Sequence, residues 1–190
     1  PSRGLGDVYK RQTQHHAQVV AIAGGLGTFE PRKPDLLNLI LWEDKGVDYI
    51  IREPEKYRNK NVLIAGGGDS ALDWTIVLAE LAQSVTLVHR RNQFRGALDS
   101  VQKVQVLKDQ NKIQVITPAE VIALDGVRHL TNVTLKVEGT SVNQAVDYFI
   151  PLFGLTPKLG PIANWGLEIE KNAIKVDNSL DYQTNIPGIY

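Results

Sequence analysis

The sequence predicts an α/β fold in which a Rossmann-like parallel sheet carries helices and a later antiparallel β-meander. Two stretches support this. Residues 61–95, NVLIAGGGDSALDWTIVLAELAQSVTLVHRRNQFR, run from a short apolar segment through a glycine turn and a helical segment to a second apolar run, and end in a cluster of arginines. Beyond Pro118 the texture changes. Strand-like runs follow one another across the turn pairs Asp125-Gly126 and Glu138-Gly139, with no helical stretch between them. Alternating strand and helix argues for a parallel sheet, and strands in succession for an antiparallel layer laid on it.

Taken in order, residues 1–12 lack helical or strand periodicity and are expected to be an unstructured or non-native extension. Residues 17–23 (AQVVAIA) are a strand candidate running into Gly24-Gly25-Leu26-Gly27. Residues 30–34 (EPRKP) carry two prolines; they are expected neither to continue a strand nor to start a long helix, and read as part of a crossover linker. Residues 36–42 are short, apolar and ambiguous, 47–51 a strand candidate, and 53–56 a turn. Residues 62–65 suit a buried parallel strand. The helix after the glycines keeps Ala71, Leu72, Ile76, Leu78 and Ala79 apolar, enough to bury one face. Residues 85–88 form the second strand. Val101, Val104 and Leu107 recur at three-residue spacing, which predicts a helix over 98–108. Residues 113–116 are a third strand, stopped by Thr117-Pro118. The meander is expected at 120–124, 132–137 and 146–149. Residues 162–190 hold only short alternating pieces (167–170, 174–176), too little to fold alone. Trp42, Trp74 and Trp165 are assigned to core or interdomain packing.

The chemistry lies in the glycine turn. Gly66, Gly67 and Gly68 follow the first strand without a spacer, and Gly66, Gly68 and Ala71 fit the spacing G-x-G-x-x-A. Gly66 permits the tight turn, Gly68 lets the backbone approach a pyrophosphate, and Ala71 lets the helix sit close to the sheet. Asp69 and Ser70 are expected to cap the helix, whose free N–H groups and dipole then face the phosphates. Where an NAD site places an acidic residue, this chain has His89-Arg90-Arg91, with Arg95 four residues on. Guanidinium groups match a phosphate in charge and fork geometry, so the expected cofactor is NADP. For His89 two readings stay open: a specific contact with the cofactor, or no more than packing on the adenine or capping the strand.

Composition narrows the remainder. The 190 residues carry 21 basic and 21 acidic side chains, so no general attraction to nucleic acid or membrane is implied. No run has the length of a membrane-spanning helix. With no cysteine there is no disulfide framework and no cysteine-ligated metal, which is compatible with a cytoplasmic location. His15, His16 and His129 have no carboxylate or cysteine at ligand spacing, so no metal site is expected. Asp69 and Asp73 are read as capping and surface groups, and no Ser-His-Asp arrangement is supported. The chain has no methionine and stops after an apolar phrase, which reads as an excised fragment.

These pieces resemble the flavoprotein disulfide reductase superfamily, in its low-molecular-weight, thioredoxin-reductase-like branch. The family phrase His-Arg-Arg-x-x-Phe-Arg matches His89, Arg90, Arg91, Phe94 and Arg95, and residues 22–27 and 147–154 with Pro157 are similar to the two crossovers of its FAD and NADP domains. Thioredoxin reductases carry Cys-x-x-Cys before the glycine turn; the matching interval here, GVDYIIREPEKYR at 46–58, has none. That interval, GGGDSALDW at 66–74 and the crossover phrase at 27–33 are similar to the thioredoxin-reductase-like ferredoxin/flavodoxin–NADP reductases. The resemblance implies a fold in which residues 28–153 form the NADP domain. Residues 13–27 and 154–190 would then be crossovers and remnants of an FAD domain. It implies NADP here and FAD in a full-length parent, with Phe29 a candidate flavin contact. It also implies NADPH and ferredoxin or flavodoxin as partners, and a homodimer as a candidate state of the parent. The family's N-terminal glycine fingerprint and the Gly-Asp pair after the Gly188-Ile-Tyr190 phrase are not in the sequence, so the isolated chain is expected to be inactive. Another cysteine-free member of the branch and a non-catalytic NADP-binding module remain the alternatives.

Overall fold

The structure is a computed structural model that describes residues 16–23, 28–177 and 180–190; the side chains of Thr28, Phe29 and Pro157 lie outside that description. The extension expected at 1–12, His15 and the turn at 24–27 also lie outside the described residues. The chain divides into two compact units, one of residues 30–156 and one of the residues outside that span. The strands, in order, are β1 Thr28–Pro31, β2 Asn61–Ala65, β3 Ser84–Val88, β4 Gln114–Ile116, β5 Ala119–Gly126, β6 Leu130–Val137, β7 Thr140–Ala145, β8 Tyr148–Pro151, β9 Leu155–Lys158, β10 Ile169–Glu170 and β11 Ala173–Ile174. Helix α1 spans Asp69–Leu78 between β2 and β3, and α2 spans Leu98–Asp109 between β3 and β4.

Four strands make a parallel sheet in the order β4-β3-β2-β8. Its centre is apolar on both faces, as a covered parallel sheet requires. Val62, Ile64, Val85 and Leu87 face Leu72, Leu78 and Val104 of the helices. Leu63, Ala65, Val88 and Phe149 point the other way, onto Leu130, Val133 and Leu135 of the antiparallel sheet β5-β6-β7. The parallel sheet is thus a middle layer between helices and meander. Trp42 and Trp74 pack against these cores, whereas Trp165 is 48% exposed and is not a core residue.

Several sequence expectations are corrected. The third meander strand is β7, not 146–149. Of β7's six residues only Gln144 is even half-buried, so this exposed edge carries no apolar alternation to read. Tyr148–Pro151 instead joins the parallel sheet beside β2, where Phe149, Ile150 and Pro151 are buried. Strand β1 takes in Glu30 and Pro31, contrary to the expectation that the prolines exclude a strand; β1 is half of a two-stranded sheet with β9, and Pro31 ends it, where a missing N–H is tolerated. Val47 makes only isolated bridges, to Glu43 and Phe149, so 47–51 is not a strand. In the second unit, the candidate at 17–23 is reduced to one bridge, Val20 with Ile189. There β10 and β11 form a short hairpin whose turn residues Lys171 and Asn172 both have positive φ.

Candidate dinucleotide-binding site

The chain leaves β2 toward β3 on one side and returns to β2's other side as β8, so the C-terminal end of β2 is where strand order reverses. Open α/β sheets bind ligands in the crevice at such a point. The glycine turn stands there. Gly66 N donates to the Val88 carbonyl at 3.0 Å. A Cβ on Gly66 would lie 2.7 Å from both the Ala71 Cβ and the Leu152 carbonyl oxygen. Gly66 and Ala71 therefore allow each other: both are buried, and their contact seats α1 on the sheet. Gly67 is closed off differently, because a Cβ there would overlap the His89 ring.

Gly68 differs from both. It is the N-cap of α1, with an extended backbone (φ −104°, ψ −178°) that any residue adopts, and a Cβ there would meet nothing within 4 Å. Packing does not account for this glycine. A pyrophosphate drawn up to the helix N-terminus does, because that approach needs the space a side chain would fill. The residues thus fit a dinucleotide.

No side chain caps α1, which corrects the expectation for Asp69 and Ser70. Ser70 is exposed on the first turn. The Asp69 carboxylate reaches sideways instead, accepting a hydrogen bond from Ala97 N at 2.7 Å, just before α2. Arg95 N donates to the Gly67 carbonyl at 2.6 Å. Gly96 packs so closely that a Cβ would sit 2.5 Å from the Leu72 Cδ1 and 3.1 Å from the Asp69 Oδ1. The loop after β3 is in this way tied back onto the glycine turn and first turn of α1.

That loop carries the predicted arginines, and Arg90, Arg91 and Arg95 are all exposed. His89 is only 6% exposed and stacks on Phe94, with ring centroids 5.6 Å apart and planes 27° from parallel. Burial holds its pKa below the ordinary histidine value, and the charges of Arg95, Arg90 and Arg91 push the same way; a hydrogen bond with the Gln93 backbone opposes them. The structure thus brings Gly66–Gly68, Asp69, Ala71, His89 and Arg95 into one connected cluster. Phe29 lies in β1, its side chain outside the description. Sequence reasoning did not assign the Leu152 carbonyl, Gly96 or Ala97 to the site. Gly96, directly after Arg95, was the readable clue, since an isolated glycine often marks close backbone approach.

Fold and site together define an α/β unit with a glycine turn at the point where a parallel sheet reverses its strand order. The pyridine nucleotide-disulphide oxidoreductase family matches residues 9–190, and the chain belongs to it. It is 65% identical over 178 residues, 94% of its length, to a ferredoxin–NADP reductase of Flavobacterium johnsoniae, and 64% identical over 179 residues to one of Flavobacterium psychrophilum. The chain spans about half the length of these curated relatives, 51% in each case. Among solved structures it is similar to the thioredoxin reductase of Lactococcus lactis, with 27% identity, a TM-score of 0.73, and 85% of this chain and 53% of that one covered. The thioredoxin reductase of T. acidophilum, 23% identical with a TM-score of 0.74, shares the fold. No helix among the described residues is long and apolar enough to cross a membrane.

Proposed function

We propose that this chain is the NADP(H)-binding part of an FAD-dependent oxidoreductase that moves electrons between NADPH and ferredoxin or flavodoxin. The observation that carries the reading is the pairing of Gly68, open to an approaching phosphate, with a loop of three exposed arginines anchored to the same turn. Gly66–Gly68 and the first turn of α1 would hold the pyrophosphate on main-chain N–H groups and the helix dipole. Arg90, Arg91 and Arg95 would hold the 2′-phosphate. Residues 28–153 are the NADP-binding domain in this proposal. When bound, NADPH supplies a hydride, and the chain's task is to orient it. The relatives above 60% identity are ferredoxin–NADP reductases, which supports the carrier assignment.

Calorimetric titration with NADPH and NADH tests the cofactor. A charge-assisted hydrogen bond to phosphate contributes about 1.5–3 kcal/mol, so NADH is expected to bind at least about tenfold more weakly, and Arg90→Ala to narrow that gap. Equal affinity of the unaltered protein for the two nucleotides would overturn the assignment. The parent enzyme is expected to reduce ferredoxin or flavodoxin with NADPH. It is not expected to reduce thioredoxin, since residues 46–58 offer no cysteine pair to relay electrons as a dithiol; thioredoxin turnover would contradict the carrier assignment.

A further inference from the structure

We propose that His89 is a positioning residue that sets the spacing between the phosphate turn and the arginine loop by the shape of its ring, without itself binding the 2′-phosphate. The inference rests on the cofactor reading above and goes beyond it in the role given to this side chain.

His89 is the first residue after β3, fixed through its main chain on both sides. Its N–H donates to the Ile116 carbonyl at 3.3 Å, and its carbonyl accepts from Ala119 N at 2.9 Å. The side chain then enters the interior. One side of the ring fills the space where Gly67 would carry a Cβ, and Phe94 stacks at 5.6 Å. The residue after Phe94, Arg95, donates its N–H to the Gly67 carbonyl at 2.6 Å. The imidazole is thus a wedge in a closed circuit that runs from Gly67 to His89, Phe94, Arg95 and back to Gly67.

Two observations argue against a direct phosphate contact. The arginines that flank His89 are exposed, as groups that meet a solvated dianion must be, whereas His89 is 6% exposed. Its Nε2 is buried, beneath the surface on which a solvated phosphate would sit. A group chosen to donate to phosphate would be charged, yet burial and Arg95, Arg90 and Arg91 all favour the neutral ring. What the site keeps from His89 is a flat ring of fixed thickness. A displacement of about 1 Å in a positioned group is enough to cost an order of magnitude or more in function.

The test compares His89→Ala with His89→Phe, alongside Arg90→Ala, by calorimetric titration with NADPH and NADH. Phenylalanine keeps a flat ring and removes both nitrogens. His89→Ala is expected to weaken NADPH about tenfold and to weaken NADH as well, because Gly67 belongs to the part of the site both nucleotides share; His89→Phe is expected to restore both to within about threefold of the unaltered protein. If His89→Phe loses NADPH affinity as severely as His89→Ala while NADH is unchanged, the imidazole is a phosphate ligand and the proposal is wrong. It is also wrong if His89→Ala binds NADPH normally. Should circular dichroism show His89→Ala unfolded, Phe94→Ala removes the wedge's other wall. A weaker grip on NADPH then supports the proposal, and unchanged affinity overturns it. Arg90→Ala separates the two readings: if it leaves the NADPH/NADH ratio unaltered, the arginine-site assignment fails, whatever the His89 variants do.

Discussion

Two glycines of this protein sit in open space for opposite reasons. A Cβ on Gly139, in the turn between β6 and β7, would meet nothing within 4 Å, and neither would one on Gly68. Gly139 has φ +85° and follows Glu138 at φ +49°, so the hairpin turn requires left-handed backbone there. Gly68 has φ −104°, which imposes no such requirement. The hairpin glycine is explained by the chain's own conformation. At Gly68 neither conformation nor packing requires the missing side chain, and the open space suits the phosphate approach of the proposed function. On the proposed function, the difference separates a glycine kept for folding from a glycine kept for binding.

The comparison can be broken at four points. Gly67 belongs to both classes, since its missing side chain admits His89 while its carbonyl anchors Arg95. Gly67→Val is expected to cost about 3 kcal/mol or more in urea denaturation and to abolish NADPH binding, because the overlap is with a ring that has nowhere to go. Gly68→Val should lower the unfolding free energy by no more than about 1 kcal/mol, the cost of a poorer N-cap residue, yet remove NADPH binding in calorimetry. Normal NADPH affinity in that folded variant would show that the phosphates lie elsewhere. Gly139→Ala should do the reverse, losing about 1–2 kcal/mol of stability with NADPH affinity unchanged.

The smallest effect concerns acid. His89 has its pKa lowered in the folded protein from the ordinary value of 6.5. The unfolded chain therefore takes up that proton first as pH falls. The contribution of the neutral ring is fully present above pH 6.5 and is lost below it, as pH approaches the lowered folded value. Denaturation at pH 7.5 and 5.5 should show a loss of stability that is smaller in His89→Phe; equal losses in both proteins would show that His89 does not contribute.

How far the sequence could be read follows from where each signal resides. The unit β2–α1–β3 was legible because its instructions are local: an apolar run, three glycines, a helical stripe and a second apolar run. Strand β7 was not, because an exposed edge strand has no buried face to impose alternation. Nor was the return of β8 to the parallel sheet, since Tyr148–Pro151 reads equally as the end of a meander until its neighbour is known. In the candidate site, the glycine turn and the arginine loop were legible as a local pattern of residue types. The expectation for Asp69 fails for a physical reason: a carboxylate just before a helix ordinarily caps it, but here Gly68 holds the N-cap position and Asp69 accepts instead from Ala97 N, 28 residues on in sequence. Contacts made by the main chain, such as the Leu152 carbonyl over Gly66, leave no mark on residue type.

The placement of β8 beside β2 also governs when the molecule becomes functional during its synthesis. Asn61 N donates to the Asp147 carboxylate at 2.7 Å across a separation of 86 residues, and Asp147 N returns a bond to the Asn61 carbonyl at 2.8 Å. A nascent chain can pair β2 with β3, and β3 with β4, early, but the other hydrogen-bonding edge of β2 stays unpaired until Tyr148–Pro151 emerges. Only then does Leu152 arrive to close over Gly66. The setting of the glycine turn is therefore among the last features of this unit to mature, and on the proposed function a bound nucleotide would report a sheet that has finished assembling.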